Sequence, residues 1–357
     1  MKTGHTGRLL RIAQVAPLWS SVPPANYGGI ELRLFWLTEE LVARGHEVTL
    51  FASGDSTTSA KLRAGFPRNL IDAMGSSEAF QYEQYANSNF VEALRNNHEF
   101  DVIHCHVGCP QIPLSVLSNT PSLHTMPTAL SVDEEWLLNR YPDVTVIAIS
   151  HSQIAGLPVK RRQAVRVIYH GCDFGQYDLN LQPDKYLVFL GRMGQKKSPL
   201  NAIRVAKQAG FPIVLAGKPQ DGSEADYFSQ KIQPLIDGKN VTYIGPVNQR
   251  QKNVLLKNAS ALLFPIQWEE PFGLVMIEAM ACGTPVIACN RGSVSEVVDF
   301  GKTGFYADSV EKLASLVPRA LLLDRKVVRE HAMQRFSHKR MVDEYVEVYE
   351  SLVRKTG

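Results

Sequence analysis

The stretch ALLFPIQWEEPFGLVMIEAMACGTPVIAC, residues 261–289, consists of a short apolar run, a longer segment rich in helix formers and a second short apolar run. Pro271 suits the first turn of a helix, because the backbone N–H that proline lacks would be unpaired there. Gly283 and Pro285 are typical of a helix end, so we predict a helix from Pro271 to Ala281. A strand, a helix and a strand in this order predict a parallel βαβ unit.

The same alternation continues through most of the chain and predicts an α/β fold. The predicted strands are RIAQVAP, EVTLFAS, DVIHCH and VTVIAIS in the first half, and YLVFLG, FPIVLAG, NVTYIG, ALLFPI and TPVIAC in the second. Nearly continuous apolar strands indicate sheets that are covered on both faces. Ile30, Leu34, Leu37 and Leu41 recur every three or four residues, which predicts a helix from Ile30 to Leu41 packed on the first sheet.

A chain of 357 residues is long for one hydrophobic core, so two domains are expected. We place the hinge in residues 155–185, where proline, glycine and charged residues are mixed. Beyond residue 310 the pattern is helical. In the closing segment a predicted buried face contains Met341, Tyr345, Val348 and Leu352.

The composition is that of a globular protein, with 45% hydrophobic and 20% charged residues, and a net charge of +3 is too small to indicate nucleic-acid binding. No window reaches the ~18 uninterrupted apolar residues of a membrane span, and the N-terminus lacks the features of a secretory signal. We therefore expect a cytoplasmic protein. The basic run Lys160–Arg162 fits either a solvated linker or a contact with phosphate or an anionic membrane surface. The five cysteines contain no C-x-x-C pair, so we expect buried free thiols.

Several familiar phosphate and catalytic motifs are absent. The sequence has no G-x-G triplet, which argues against the usual NAD or FAD turn. Gly301-Lys302-Thr303 resembles the end of a P-loop, but Glu296 stands where that motif requires glycine. No G-x-S-x-G sequence occurs, which argues against a serine-nucleophile hydrolase. No H-E-x-x-H or Asp-x-Asp sequence occurs either, so no metal site is expected. A bound phosphate would have to be held by cations and backbone amides.

Two segments offer such groups. Gly28 and Gly29 in PPANYGGIELRL precede a helix, where backbone N–H groups can approach an anion; a tight turn is the alternative. In LGRMGQKKSPL, Arg192 follows a predicted strand directly and Lys197 follows five residues later. Open α/β sheets bind ligands at the carboxyl ends of their strands, so we expect these cations to bind phosphate. The alternative is a surface turn with ordinary solvated cations.

The carboxylates Glu270 and Glu278 are candidates for binding hydroxyl groups. Eight residues along a helix span roughly 12 Å, which is too far for the two to share one proton or one ion. The predicted helix places the amides of Gly273–Val275, including that of Leu274, at its N-terminus, where they can accept phosphate between the two carboxylates. This layout fits a ligand with a sugar at one end, a diphosphate in the middle and a ribose at the other end.

Gly191-Arg192 with Lys197, the segment EPFGLVMIEAMACGTPVIA and the segment YGGIE together resemble retaining glycosyltransferases of family 4, also described as glycosyl transferases group 1. The resemblance implies the GT-B fold, with two Rossmann-like, doubly wound domains facing a central cleft. It also implies an acceptor-binding domain at 1–170, a nucleotide-sugar-binding domain at 171–336, and a helix at 337–357 that crosses back to the N-terminal domain.

The resemblance further implies a role for each site residue. Glu270 would bind hydroxyls of the donor sugar and Glu278 the ribose. Arg192 and Lys197 would neutralise the leaving diphosphate, assisted by Gly29 and the amides after Phe272. The family's usual glycine after the lysine is Ser198 here.

Two further positions carry implied roles. His124 in PSLHT matches the histidine that such enzymes place near the sugar C6 hydroxyl and the reacting centre; a hydrogen-bonded core histidine is the alternative. Val247 follows the strand that usually borders the base pocket.

The implied reaction is metal-independent transfer of a hexose, with retention, from a nucleotide-diphosphate sugar such as UDP-glucose to a hydroxyl acceptor. The acceptor hydroxyl would attack the face from which the diphosphate leaves. The acceptor would be a small molecule, a saccharide or a lipid, and a lipid acceptor would imply peripheral contact with a membrane. The alternatives are a GT-B sugar-nucleotide epimerase and a catalytically inactive nucleotide-sugar-binding protein.

Overall fold

The computed structural model describes residues 8–25, 28–220 and 222–356. The first seven residues and Tyr27 of the YGGIE segment, both used in the sequence predictions, lie outside the described residues. The chain divides into two compact α/β units. The first unit contains the chain up to Ile149, the segment Ile154–Tyr169 and the chain from His338 onward; the second contains Ser150–Gln153 and His170–Ser337.

The first unit is built on a parallel sheet in which β1 lies between β2 and β4. Its strands are β1 Arg11–Val15, β2 Glu47–Ser53, β3 Lys61–Phe66, β4 Val102–Cys105, β5 Ser122–Thr125, β6 Thr145–Ala148 and β7 Arg166–Val167. Their spatial order is β3-β2-β1-β4-β5-β6-β7, a doubly wound arrangement. Six helices connect these strands: α1 Gly29–Ala43, α2 Leu70–Gly75, α3 Tyr82–Arg95, α4 Ile112–Ser115, α5 Val132–Arg140 and α6 Val159–Ala164.

The second unit repeats the plan with six parallel strands. They are β8 Leu187–Leu190, β9 Ile213–Ala216, β10 Val241–Tyr243, β11 Ala261–Phe264, β12 Val286–Cys289 and β13 Gly304–Ala307. Their order is β10-β9-β8-β11-β12-β13. The helices are α7 Pro199–Ala209, α8 Ser223–Tyr227, α9 Gln249–Asn258, α10 Leu274–Ala281, α11 Val294–Val297, α12 Val310–Ala320 and α13 Arg325–Phe336.

The last helix, α14 His338–Thr356, belongs to the first unit. Its residues Met341, Tyr345, Val348 and Leu352 are buried as the spacing predicts. They pack in one apolar cluster with residues of α1 and the first sheet, including Ile12.

The predicted α/β fold with two parallel sheets is confirmed, and each of the nine predicted strands is present within one or two residues. The predicted helix from Ile30 to Leu41 is confirmed within α1. All five cysteines are free and buried, as expected. Four strands, β3, β5, β7 and β13, were not predicted, because none of them stands out in the sequence as an apolar run.

The predicted start of the helix in residues 261–289 is wrong. The helix α10 begins at Leu274, not at Pro271, although it ends at Ala281 as predicted. Gly273 precedes the helix with φ of 77°, a left-handed conformation that breaks helical continuity with Pro271 and Phe272. A side chain at Gly273 would also meet Met276 and Phe264 at 2.6 and 3.1 Å, so only glycine fits this turn.

A buried polar network joins α14 to the first sheet. His104 on β4 contacts the hydroxyl of Tyr349 through Nδ1 at 2.7 Å and that of Thr125 through Nε2 at 2.8 Å. Gln14 on β1 donates to the same Tyr349 hydroxyl at 3.0 Å and contacts Nε2 of His106 at 2.7 Å. These hydrogen bonds satisfy polar groups that would otherwise be costly to bury.

This network and the nearby His124 predict acid sensitivity of the fold. Burial lowers the pKa of His104 well below its ordinary value, and lowers those of His106 and His124 to about 3 and about 4. Below about pH 6.5 the unfolded chain binds protons at these rings and the folded chain does not. The free energy of unfolding should therefore fall as the pH decreases from 6.5 towards 4. Glu31 partly offsets this fall: burial raises its pKa to about 7, so over the same range the folded chain binds one proton there that the unfolded chain does not.

The measurement is denaturant unfolding at pH 7.5, 6 and 5. In the variant His124→Gln the slope of the free energy of unfolding between pH 6 and pH 5 should be smaller than in the wild type by nearly one proton, or about 1.4 kcal/mol per pH unit at most. An unchanged slope would contradict the neutral, buried state of His124.

Candidate donor-binding site in the second unit

The second sheet reverses its winding direction between β8 and β11. From β8 the chain moves outward through β9 and β10, then returns to place β11 on the other side of β8, with Leu187 paired to Ala261. In open α/β sheets the crevice at such a switch point, outside the carboxyl ends of the strands, is the usual ligand site. The segments that follow β8 and β11 at this edge contain Arg192, Lys197 and Glu270.

Lys197 and Glu270 form an ion pair at this edge. The ammonium group of Lys197 contacts Oε2 of Glu270, with the two side chains 16% and 10% exposed. The indole N–H of Trp268 donates to the same oxygen at 2.9 Å. The Lys197 ammonium also lies 5.3 Å from the centre of the Trp268 ring. A largely desolvated pair of this kind interacts more strongly than a surface pair.

The backbone of Glu270 is in close contact with the backbone at Gly292 and Ser293. A Cβ atom on Gly292 would lie 2.3 Å from the carbonyl oxygen of Glu270 and 2.4 Å from its nitrogen. The next amide, that of Ser293, donates to that carbonyl at 3.0 Å. Gly292 also has φ of 58°, so this position combines a close backbone approach with a left-handed conformation.

We predict that Gly292→Ala lowers the free energy of unfolding by about 2 kcal/mol or more, because it adds a backbone clash to the cost of a left-handed alanine. Gly301→Ala is the matched control, since Gly301 has φ of 79° and open space around its Cα; it should cost only about 1 kcal/mol. Chemical denaturation measures both. Equal losses in the two variants would show that the approach of Gly292 to Glu270 has no energetic weight.

The N-terminus of α10 presents unpaired donors beside this pair. In the described part of the chain, the backbone N–H groups of Gly273, Leu274 and Val275 donate to no protein acceptor. Unpaired amides and the helix dipole together favour an anion at this position. The corrected helix start therefore keeps the three amides that the sequence assigned to phosphate.

Glu278 lies inside α10 and pairs with a lysine from a different helix. Its Oε1 is 2.9 Å from the ammonium group of Lys252 on α9, and the side chains of the lysine and the glutamate are 15% and 7% exposed. The site thus contains two buried carboxylates, each in contact with its own lysine.

Arg192 is half-exposed and turns towards the segment after β9. Its guanidinium is 2.5 Å from the amide oxygen of Gln220 and 3.5 Å from a carboxylate oxygen of Glu224. The backbone N–H of Gln220 donates to the other carboxylate oxygen of Glu224 at 3.0 Å. Among the described residues, Arg192 makes no hydrogen bond or ion pair with Lys197 or Glu270.

The remaining predicted donor residues occupy different positions in the second unit. Phe272 is buried with its ring edge-on to His170 and Phe336, and its carbonyl accepts from the hydroxyl of Ser293 at 2.8 Å. Val247 is half-buried two residues before the start of α9. Ser198, which replaces the family's usual glycine, has φ of 57° at the start of α7, a conformation that glycine adopts without strain.

Gly28, Gly29 and His124 lie in the first unit. A Cβ atom on Gly28 would lie 2.7 Å from Cβ of Pro24, so this position requires glycine, and Gly29 begins α1. His124 on β5 is fully buried, with Nε2 2.6 Å from the hydroxyl of Ser115 and its ring edge-on to Phe90. These surroundings are those of a hydrogen-bonded core histidine, and its role at the reacting centre stays a prediction.

The sequence reasoning missed the partners of the charged residues. The missed partners are Trp268 for Glu270, Lys252 for Glu278 and Glu224 for Arg192. Lys252 and Glu224 are distant in sequence from their partners, and only the fold brings them together. A tryptophan two residues before a carboxylate was a local signal that an indole donor stands near Glu270.

The described residues contain neither a candidate metal cluster nor a candidate membrane-spanning helix. Across residues 8–25, 28–220 and 222–356, no group of three or more His, Cys, Asp or Glu side chains is placed to hold a metal ion. Within the same ranges no helix is both long and apolar enough to cross a membrane.

Two family profiles match successive parts of the chain. Residues 27–176 match the profile described as Glycosyltransferase Family 4, and residues 178–340 match the one described as Glycosyl transferases group 1. An uncharacterised glycosyltransferase of Methanocaldococcus jannaschii is 25% identical over 354 residues, covering 87% of this chain and 89% of the relative.

Solved structures share the fold of this chain. Sucrose-phosphate synthase of Thermosynechococcus elongatus has a TM-score of 0.77 at 21% identity, covering 98% of this chain and 100% of the other. An Anabaena protein crystallised in complex with UDP-glucose has a TM-score of 0.70 at 19% identity, covering 96% of this chain and 100% of the other. These likenesses confirm the predicted GT-B fold. The two profiles, which together match most of the chain, and the GT-B fold place this chain in glycosyltransferase family 4, whose members use nucleotide-sugar donors.

Proposed function

We propose that this protein transfers a hexose, with retention of anomeric configuration, from a nucleoside diphosphate sugar to a hydroxyl acceptor. UDP-glucose is the favoured donor, because the Anabaena protein of the same fold is described in complex with it. The acceptor is a small molecule, a saccharide or a lipid. The observation that carries the proposal is the buried contact between Lys197 and Glu270 beside the unpaired amides of α10.

In the proposed donor complex, the diphosphate lies against Arg192, Lys197 and the first amides of α10. Negative charge grows on the diphosphate as it leaves, so fixed cations and amides stabilise the transition state more than the ground state. Both cations contact carboxylate or amide oxygens of the protein itself. Phosphate oxygens would take over these contacts, since they offer acceptors of the same kind.

Glu270 and Glu278 bind the two sugar ends of the donor in this proposal. A carboxylate accepts hydrogen bonds only, and hydroxyl groups can donate them. The contact of each carboxylate with a lysine offsets part of the cost of burying it. Glu270 then contacts hydroxyls of the transferred hexose, and Glu278 contacts the ribose.

The proposed chemical step is a front-face displacement. The acceptor oxygen forms a bond to the anomeric carbon while the bond from that carbon to the phosphate oxygen breaks. The proton of the acceptor hydroxyl moves to the departing phosphate oxygen, so the step requires no protein nucleophile. The protein contributes positioning and charge stabilisation, and Gly28 and Gly29 are proposed to offer further backbone donors.

The test is a screen of UDP-glucose, UDP-galactose, GDP-mannose and ADP-glucose against a panel of saccharide and polyol acceptors in excess EDTA. Release of nucleoside diphosphate measures turnover, and proton NMR of the product measures anomeric configuration. We expect one donor to turn over with retention and without metal. Inversion, a strict metal requirement or no turnover with any pair would contradict the proposal, and donor conversion without any acceptor would instead support the epimerase alternative.

A further inference from the structure

Lys252 has no role in the site predicted from the sequence, yet it is one of two lysines that contact a carboxylate there. Its ammonium group lies 2.9 Å from Oε1 of Glu278, and its side chain is only 15% exposed. The ammonium also lies 5.9 Å from the centre of the Tyr177 ring. A lysine seldom becomes this buried without a specific partner.

The position of Lys252 is fixed by the start of α9. Asn248 caps this helix: its side chain accepts from the amide of Gln251 at 2.9 Å, and the Gln251 side chain accepts from the amide of Asn248 at 3.0 Å. This capping box holds the first turn rigidly, and Lys252 follows it directly. A cation near a helix N-terminus is disfavoured by the helix dipole, so helix stability alone does not account for a lysine here.

The pair with Glu278 gives that lysine a function. An unpaired carboxylate at this depth would be driven to take up a proton or to turn towards solvent. The ion pair fixes the direction of the Glu278 carboxylate oxygens. Each carboxylate oxygen has two acceptor positions, so an oxygen that accepts from a lysine can also accept from a hydroxyl group.

We propose that Lys252 is a positioning residue for ribose recognition: its ion pair holds the Glu278 carboxylate in the orientation that accepts the ribose hydroxyls of the donor nucleotide. This inference rests on the proposed function, in which Glu278 binds the ribose. Lys252 itself need not contact the donor.

The test compares UDP with 2′,3′-dideoxy-UDP in calorimetric titrations of the full-length protein. A hydrogen bond to a charged group is strong enough for the wild type to prefer UDP by at least about tenfold. In Lys252→Met, UDP should bind about tenfold more weakly while the dideoxy form binds as it does to the wild type, so the preference is lost. If this variant fails to fold, Lys252→Gln, which retains an N–H donor without the charge, should reduce the preference in the same direction.

Lys257→Met is the matched control. Lys257 lies on the same helix and pairs with Asp178 at 2.9 Å, but it is more exposed, so its loss should leave the preference intact. Equal weakening of both ligands in Lys252→Met, or an unchanged preference, would overturn the inference alone. A wild type that binds UDP and the dideoxy form equally would overturn the ribose role of Glu278 and the inference with it, and a wild type that binds neither would overturn the choice of a uridine nucleotide as the donor as well.

Discussion

Replacing Lys197 by methionine is expected to reduce kcat for sugar transfer by about 100- to 1,000-fold, the usual cost of removing one group that stabilises developing negative charge. Methionine keeps the apolar stem of the side chain and removes the ammonium group that contacts Glu270. The measurement is the rate of UDP release from UDP-glucose at saturating donor.

Lys196→Met is the control for that loss. Lys196 directly precedes Lys197 and is exposed. Its ammonium group lies 5.7 Å from the centre of the Trp268 ring, which Lys197 also approaches. General loss of positive charge would affect both variants equally. We expect kcat of Lys196→Met to stay within a few-fold of the wild type, and a similar loss in both would contradict the specific role of Lys197.

Replacing Glu270 by glutamine is expected to lower kcat/KM for the donor sugar by at least about 100-fold. The amide keeps the size of the side chain but gives up the charge that Lys197 and the Trp268 indole contact. It also places a donor where the sugar hydroxyls require an acceptor, which leaves buried polar groups mismatched.

Two comparisons separate this effect from a loss of folding. Glu269→Gln changes the neighbouring carboxylate, whose side chain is 67% exposed, and should retain nearly full activity. In Glu270→Gln the binding of UDP, which lacks the hexose, should weaken much less than transfer from UDP-glucose. Wild-type transfer by Glu270→Gln would remove this residue from the site.

The strands that could be predicted from the sequence are those with a strong local signal. Strands such as β8 and β11 are short apolar runs bounded by turn residues, and the chemistry at their carboxyl ends follows from their position in a parallel sheet. Arg192, Lys197 and Glu270 could therefore be assigned to one edge. The edge strand β3, with the sequence KLRAGF, lacks that apolar signal and becomes a strand through pairing with β2.

Two features could not be predicted from the sequence, because they depend on contacts between distant residues. The preference of proline for the first helical turn is a local rule, whereas the start of α10 depends on Gly273 packing against Phe264, nine residues away. The pair between Lys252 and Glu278 joins residues 26 positions apart on two helices, and no periodicity within either helix indicates it. Long-range contacts of this kind are set by tertiary packing.

The central claim is that cations and amides of the second unit, without a metal, hold the donor diphosphate. A calorimetric titration of UDP in excess EDTA tests it most directly, with wild-type protein and the double variant Arg192→Ala/Lys197→Met. The account predicts binding by the wild type in the absence of divalent metal and at least about 100-fold weaker binding by the double variant. Equal affinities in the two proteins, or wild-type binding only after a divalent metal is restored, would contradict it.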